Sequence, residues 1–180
     1  GTARLPVSFA VDNRPVNSNL VFEQILDDGT VVNIELPRQN PIVPSAGTGS
    51  VAIEALSRGA AYAELVEQDR TAAEIIRENL TATRLSERAR LVRADVFAHL
   101  RRPPDVGFDY IHVAPPQYKD LWIEALLALD AQPGWINADG WVCAQIDPTE
   151  HRRLELEHLV PVSERKYGST LLAFFERAAE

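Results

Sequence analysis

The reading of this chain turns on IVPSAGTGSVAIEALSRGA, Ile42 to Ala60, in which an apolar run feeds a glycine loop and the loop opens into a helical pattern. In AGTGS, Gly47 and Gly49 permit tight backbone turns and close approach of a ligand. The helix expected over Ser50–Arg58 points its N-terminal amides at the same place, an arrangement suited to nucleoside-like or phosphorylated ligands. The loop lacks the GK[ST] ending of a P-loop, which argues against nucleoside triphosphates. Pro41 and Pro44 flank the strand that feeds it. Proline supplies no ladder donor, so irregular or weakened structure is expected there.

Downstream, strand and helix signals alternate. AYAELVE (Ala61–Glu67) reads as a buried strand, and TAAEIIRENL (Thr71–Leu80) as a helix opened by a Thr71–Glu74 capping box. ARLVRAD (Ala89–Asp95) is a strand, and VFAHLRR a short helix stopped by Pro103 and Pro104. FDYIHVA (Phe108–Ala114) is a strand, DLWIEALLALD a helix, and WVCAQID (Trp141–Asp147) a further strand. Strands separated by helices of this length imply parallel pairing through right-handed crossovers, hence a doubly wound α/β sheet covered on both faces. The tail changes rhythm: LELEHLV and STLLAFFE, separated by SERKYG, predict an antiparallel hairpin. Upstream, LVFEQILDDGTVVNIEL alternates apolar residues on both sides of Asp28-Gly29, a hairpin signal, although LVFEQIL is also compatible with a short helix.

The chain has 180 residues, 46% hydrophobic and 24% charged, which bounds it to one globular domain over 1–180, with 1–40 as an N-terminal extension. The apolar run from Trp122 to Leu129 is broken by Glu124 and falls short of a membrane span. No basic start followed by an apolar segment suggests secretion, so a cytoplasmic protein without membrane contact is expected. The single cysteine, Cys143, excludes an internal disulfide framework and a cysteine-based metal site, and no metal is expected. The net charge of −8 argues against a surface coated for nucleic acid, yet leaves room for a local basic patch. Arg4 and Arg14, Arg101 and Arg102, and the group His151, Arg152, Arg153, Arg165 and Lys166 either converge on such a patch or scatter.

Position strengthens the glycine loop as a site. The next strand ends at Glu67, near the separation at which an acid meets ribose hydroxyls, and Asp95 follows one unit later. Loop, acid and acid at the carboxyl ends of successive strands mark where open α/β sheets bind ligands. The plain alternative for both acids is capping of the helices that follow. His112, inside a strand, reads as a packed or hydrogen-bonded residue rather than a base; Cys143 and the tryptophans 122, 135 and 141 read as packing residues.

With VAPPQY, Val113–Tyr118, the chain resembles a family, the S-adenosylmethionine-dependent RNA methyltransferases of the RsmD type, which modify guanine N2 in bacterial 16S rRNA. AGTGSVAIEALSRGA matches the cofactor loop and helix, VEQDR carries the ribose acid Glu67, RADVFAHL the adenine-side acid Asp95, and RKYGSTLLAFFER the terminal hairpin. The resemblance implies a Rossmann-like class I methyltransferase, a doubly wound, mostly parallel seven-stranded sheet ending in an antiparallel hairpin. It implies S-adenosylmethionine held by Ala46, Gly47, Gly49, Glu67, Gln68, Asp95 and Val96. Catalysis falls to Pro115, Pro116, Gln117 and Tyr118, with 16S rRNA or the small ribosomal subunit as partner and a monomer as the working unit. Ala114 stands where the family usually has Asp, and Gln117 is inserted before Tyr118, where its amide oxygen would stand in as acceptor. A non-catalytic module that keeps the fold and binds RNA or the ribosome is the second reading. A dinucleotide-dependent oxidoreductase is disfavoured by the proline pair and the terminal hairpin.

Overall fold

A computed structural model gives the structure of the protein and describes residues 20–25, 31–36, 41–44, 48–116 and 119–178. The alternation around Asp28-Gly29 yields two strands, β1 (Leu20–Ile25) and β2 (Val31–Leu36), paired antiparallel from Leu20↔Leu36 to Ile25↔Val31. LVFEQI is thus a strand and not a short helix; the turn itself lies outside the described residues.

The remaining strands form one sheet: β3 (Pro41–Pro44), β4 (Ala63–Val66), β5 (Ala89–Val92), β6 (Phe108–Val113), β7 (Ile136–Ile146), β8 (Leu159–Tyr167) and β9 (Thr170–Arg177). Their order is β5-β4-β3-β6-β7-β9-β8, parallel from β5 to β7, with β9 antiparallel to both its neighbours. The proline pair shortens β3 without breaking it. Pro41 and Pro44 occupy its first and last positions, and the strand between β4 and β6 is four residues long.

Among the described residues four α-helices cover the sheet: α1 (Ser50–Ser57), α2 (Arg70–Ala82), α3 (Val96–Leu100) and α4 (Leu121–Asp130). On one face Ala52, Ala55 and Leu56 of α1 and Ile76 and Leu80 of α2 pack with Leu65, Tyr110, Cys143 and Phe174. On the other, Leu100 of α3 and Trp122, Leu126 and Leu129 of α4 pack with Val66, Ile111, Val142 and Phe175. Burying these apolar faces on both sides of the sheet is the main drive to fold. No described helix is long and apolar enough to cross a membrane.

Two local expectations shift. The Thr71–Glu74 capping box does not begin α2: the N-cap is Asp69, whose carboxylate accepts the Ala72 N–H at 2.8 Å, and Glu74 instead pairs with Arg70 one turn away at 2.9 Å. Aspartate is the stronger N-cap, and Asp69 stands where the chain turns after β4. The terminal hairpin also lies further along than LELEHLV suggests. The first strand is LVPVSERKY, and Gly168 with Ser169 makes the turn. β8 is an edge strand whose residues after Leu159 are largely exposed, with a register shift at Pro161–Ser163, so its sequence carries no clean apolar alternation.

Buried polar groups join segments. Asp130, at the end of α4, accepts three backbone N–H groups, from Glu157 (2.9 Å), His158 (2.7 Å) and Leu159 (2.9 Å), and so fixes where β8 starts. Glu64 on β4, also buried, is hydrogen-bonded to His99 Nε2 of α3 at 2.8 Å and lies 3.4 Å from Arg90 of β5. The cluster sits toward the amino ends of the strands, where the Trp135 indole donates to the Leu100 carbonyl at 2.9 Å. Asp130→Ala is expected to lower the stability by about 2–4 kcal/mol, because it strands three amides that a charged acceptor held. Urea unfolding checks this, and a loss below about 1 kcal/mol would show that β8 is anchored elsewhere.

Candidate functional site

The site is built where the strands end. β3 releases the chain after Pro44; residues 45–47, including Ala46 and Gly47, lie outside the described residues, and the chain resumes at Thr48. Gly49 takes a left-handed φ of 78° immediately before α1, and a Cβ there would stand 3.2 Å from Leu65 Cδ2 and 3.4 Å from Ile76 Cγ2. Glycine is therefore fixed twice, by backbone conformation and by the close approach of helix to sheet. The Thr48 carbonyl accepts from Asn79 Nδ2 at 3.0 Å, tying the loop to α2. At the other end Gly59, φ 107°, turns the chain out of α1 toward β4.

The helix starts differ in a way that marks the crevice. α2 and α3, which follow β4 and β5, are closed by aspartate caps: Asp69 on the Ala72 N–H, Asp95 on the Ala98 N–H, each at 2.8 Å. α1 and α4, which follow β3 and β6, begin without a side-chain cap. Between β3 and β6 the strand order switches direction, so the two uncapped helices flank the topological switch point. Helix N-termini left open at such a point offer amides to a ligand.

Glu67 and Gln68 follow β4 directly. Glu67 is half-buried, its N–H bonded to the Val92 carbonyl (3.0 Å) and its Oε1 accepting the Asp69 N–H (2.9 Å); Gln68 is exposed. Asp95 stands three residues beyond β5, so the strand ends earlier than ARLVRAD implied, and one of its oxygens caps α3. Asp95 thus caps a helix while Glu67 closes the turn before α2, and both sit at the carboxyl edge, with Val96 half-buried after Asp95. Beyond β6, Ala114 and Pro115 are half-buried and Pro116 is exposed; Gln117 and Tyr118 lie outside the described residues. The structure therefore brings Gly49, Glu67, Gln68, Asp95, Val96, Pro115 and Pro116 to one edge of one sheet.

Under this edge lies a polar group that the sequence did not single out as a unit. Tyr110 and His112 on β6 face Cys143 on β7, and the Tyr110 hydroxyl lies 3.1 Å from His112 Nδ1. All three are buried. Burial pushes the His112 imidazole down to about 4, partly offset by Gln145, so the ring is neutral at physiological pH. Burial likewise pushes the Cys143 thiol up to about 12, which keeps it unreactive. His112 and Cys143 were legible as packing residues, Tyr110 was not singled out, and the convergence of the three depends on the β6–β7 register. Downstream of the loop, Asp120, in a left-handed conformation (φ 54°), pairs with Arg152 at 2.7 Å. Trp122 stacks on His151 with ring centroids 6.3 Å apart. No group of acids, histidines and cysteines fit to hold a metal occurs among the described residues.

The family model described as conserved hypothetical protein 95 matches residues 15–176. The candidate rRNA methyltransferase YlbH of Bacillus subtilis is 31% identical over 134 residues, covering 73% of this chain and 72% of its own. Ribosomal RNA small subunit methyltransferase D of Haemophilus influenzae is 28% identical over 104 residues, 57% of this chain and 53% of its own. Among solved structures, the candidate methyltransferase yhhF of Escherichia coli superimposes with a TM-score of 0.69 at 23% identity, over 78% of each chain, a likeness of fold.

Two outcomes follow for folding. The His112 value in the folded chain lies below its ordinary 6.5, so the unfolded chain takes up the proton first as pH falls. Its contribution is complete above about 6.5, declines by roughly 3 kcal/mol as pH falls to about 4, and then levels. Urea midpoints from pH 7.5 to 4 check this: His112→Asn should flatten that part of the profile, and an unchanged slope would contradict the assignment. Gly49→Ala should cost about 1–2 kcal/mol, from left-handed strain plus the Leu65 contact, measured in the same way.

Proposed function

Because the chain belongs to the RsmD-type methyltransferases, the family of conserved hypothetical protein 95, we propose that it methylates the N2 amine of a guanine in 16S rRNA, with S-adenosylmethionine as methyl donor. The observation that carries this reading is the switch-point edge, where the two uncapped helices, Glu67 and the Pro115-Pro116 exit of β6 meet. The names of the relatives, an rRNA methyltransferase and a small-subunit rRNA methyltransferase, support RNA as the substrate class.

The residues fit the cofactor. Gly49 turns the chain into α1 with no side-chain cap, so the first amides of that helix are open to the methionine portion, with Ala46 and Gly47 alongside. The Glu67 carboxylate would accept from ribose hydroxyls with Gln68 alongside, and Asp95 and Val96 would border the adenine. When bound, the cofactor supplies a methyl group activated on a sulfonium.

On the substrate side the difficulty is the amine, whose lone pair is delocalised into the base. The Pro115 carbonyl and the Gln117 amide oxygen would accept its two hydrogens and turn the lone pair toward the donor, so much of the catalysis is positioning. Pro116 stiffens the loop through its fixed φ. Tyr118 would stack on the extruded base, holding it in place by its π-face. With no carboxylate at Ala114, Gln117 carries the side-chain share of this work. His112, buried and held at a low pKa, is a weak base that this chemistry does not call on, and the proton shed by the methylated amine passes to water.

Labelled methyl transfer to unmodified small subunits and to naked 16S rRNA, with digestion to nucleosides, should place the label in N2-methylguanosine. Label in another nucleoside, or in protein alone, would overturn the substrate. Glu67→Gln should weaken cofactor binding by roughly tenfold or more in calorimetry. Gln117→Ala should lower kcat by roughly tenfold or more with cofactor affinity retained, and unchanged turnover would remove Gln117 from the mechanism.

A further inference from the structure

The chain carries 18 lysines and arginines against 26 acids, so an RNA approaching at random meets repulsion over most of the surface. Part of the basic group of the C-terminal region nevertheless converges. The segment 147–153 leaves β7 at the carboxyl edge and is strapped down on two sides. Arg152 reaches Asp120 at the start of α4 (2.7 Å), while His151 stacks on Trp122 and its Nε2 lies 3.1 Å from Glu164 of β8. These contacts hold Arg152 and the adjacent Arg153 beside Asp120 at the start of α4. Lys119 directly precedes Asp120 in the chain. Lys166 lies two residues beyond Glu164 on β8, hence on the same face of the strand and nearer the carboxyl edge.

Lys119, Arg153 and Lys166 are exposed, and none has an ion partner among the described residues. Arg165 belongs elsewhere, since its guanidinium lies over the Phe174 ring, 5.8 Å from the centroid, on the other face of the hairpin. Arg101 and Arg102 follow α3 at the opposite edge of the sheet, and Arg77 lies on α2. Among the described residues, Lys119, Arg153 and Lys166 are thus free cations on the β7–β8 side of the carboxyl edge, gathered about the Arg152–Asp120 pair.

We propose that Lys119, Arg153 and Lys166 form the docking surface for the RNA backbone, taking the phosphates that flank the target nucleotide. The proposal rests on the methyltransferase reading given above. Phosphate contacts carry no sequence information, but they fix register and orientation. In an otherwise acidic protein, one cationic arc at the carboxyl edge orients the strand as well as attracting it. Arg152 keeps its bond to Asp120 and acts as a positioning residue for the arc.

The test compares native protein with the triple variant Lys119→Gln, Arg153→Gln, Lys166→Gln and the control Arg77→Gln, Arg101→Gln, Arg102→Gln. Affinity for unmodified 16S rRNA transcript is measured directly across a salt series, beside S-adenosylmethionine calorimetry and steady-state kinetics. The arc variant should lose roughly tenfold or more in RNA affinity at low salt, and its log K against log salt slope should fall by about two. KM for RNA should rise with little change in kcat, cofactor affinity should stay native, and the control should stay within about twofold. Native RNA affinity and salt slope in the arc variant, or an equal loss in the control, overturns the proposal. Native protein that binds RNA through the arc yet transfers no methyl group overturns the proposed function and leaves the docking surface standing.

Discussion

Everything at the carboxyl edge depends on the way β3 is wedged between β4 and β6. Its four residues are bounded by prolines, so its end is set by covalent chemistry as well as by pairing. The register places Pro44 beside Val66 and Val66 beside Val92, so the three strands release the chain at one level. Glu67 leaves from that level, and its N–H closes the last rung on the Val92 carbonyl. β6 continues the row through the Ile42↔Ile111 register and passes it to β7 through Val113↔Ala144. A shift of one residue in β3 would take the end of the strand out of line with the ends of β4 and β6. The proline pair, read from sequence as a weakness, is the device that ends the central strand at this level.

A second regularity concerns polar groups inside the fold. Asp130 on the amides that begin β8, Glu64 between α3, β4 and β5, and Tyr110 with His112 on β6 against β7 each stand where separate segments meet. A buried polar group is costly unless its partners are in place, so each makes one relative placement of its segments far better than its neighbours. Apolar packing of the two faces supplies the bulk of the stability. These contacts decide how strand ends and helix starts are aligned, and the proposed site is made of strand ends and helix starts.

Much of this was legible in the sequence. The alternation of apolar runs with helical patterns after Ala60 gave the α/β class, and the spacing from the glycine loop to Glu67 and Asp95 placed both acids at the carboxyl edge. What was not legible depended on tertiary neighbours. Thr71 looked like the cap of α2 because Thr and Glu fit a local rule, whereas Asp69 takes the place because the turn after β4 presents it first. β8 was placed too early because an exposed edge strand has no buried face to enforce alternation. Arg153 and Lys166 were named in sequence as part of a patch that would either converge or scatter, and Lys119 was not named; the pairing of β8 with β9 and the Arg152–Asp120 bridge decide where they lie.

On the proposed function, the crevice at the β3–β6 switch point holds the methyl donor. The most direct measurement is a crystal structure of the protein with S-adenosylhomocysteine. The ligand is expected at the carboxyl edge, its ribose hydroxyls on the Glu67 carboxylate, its adenine beside Asp95 and Val96, and its amino-acid end over Gly49. A ligand bound at any other place, or no binding at concentrations that saturate related methyltransferases, would contradict it.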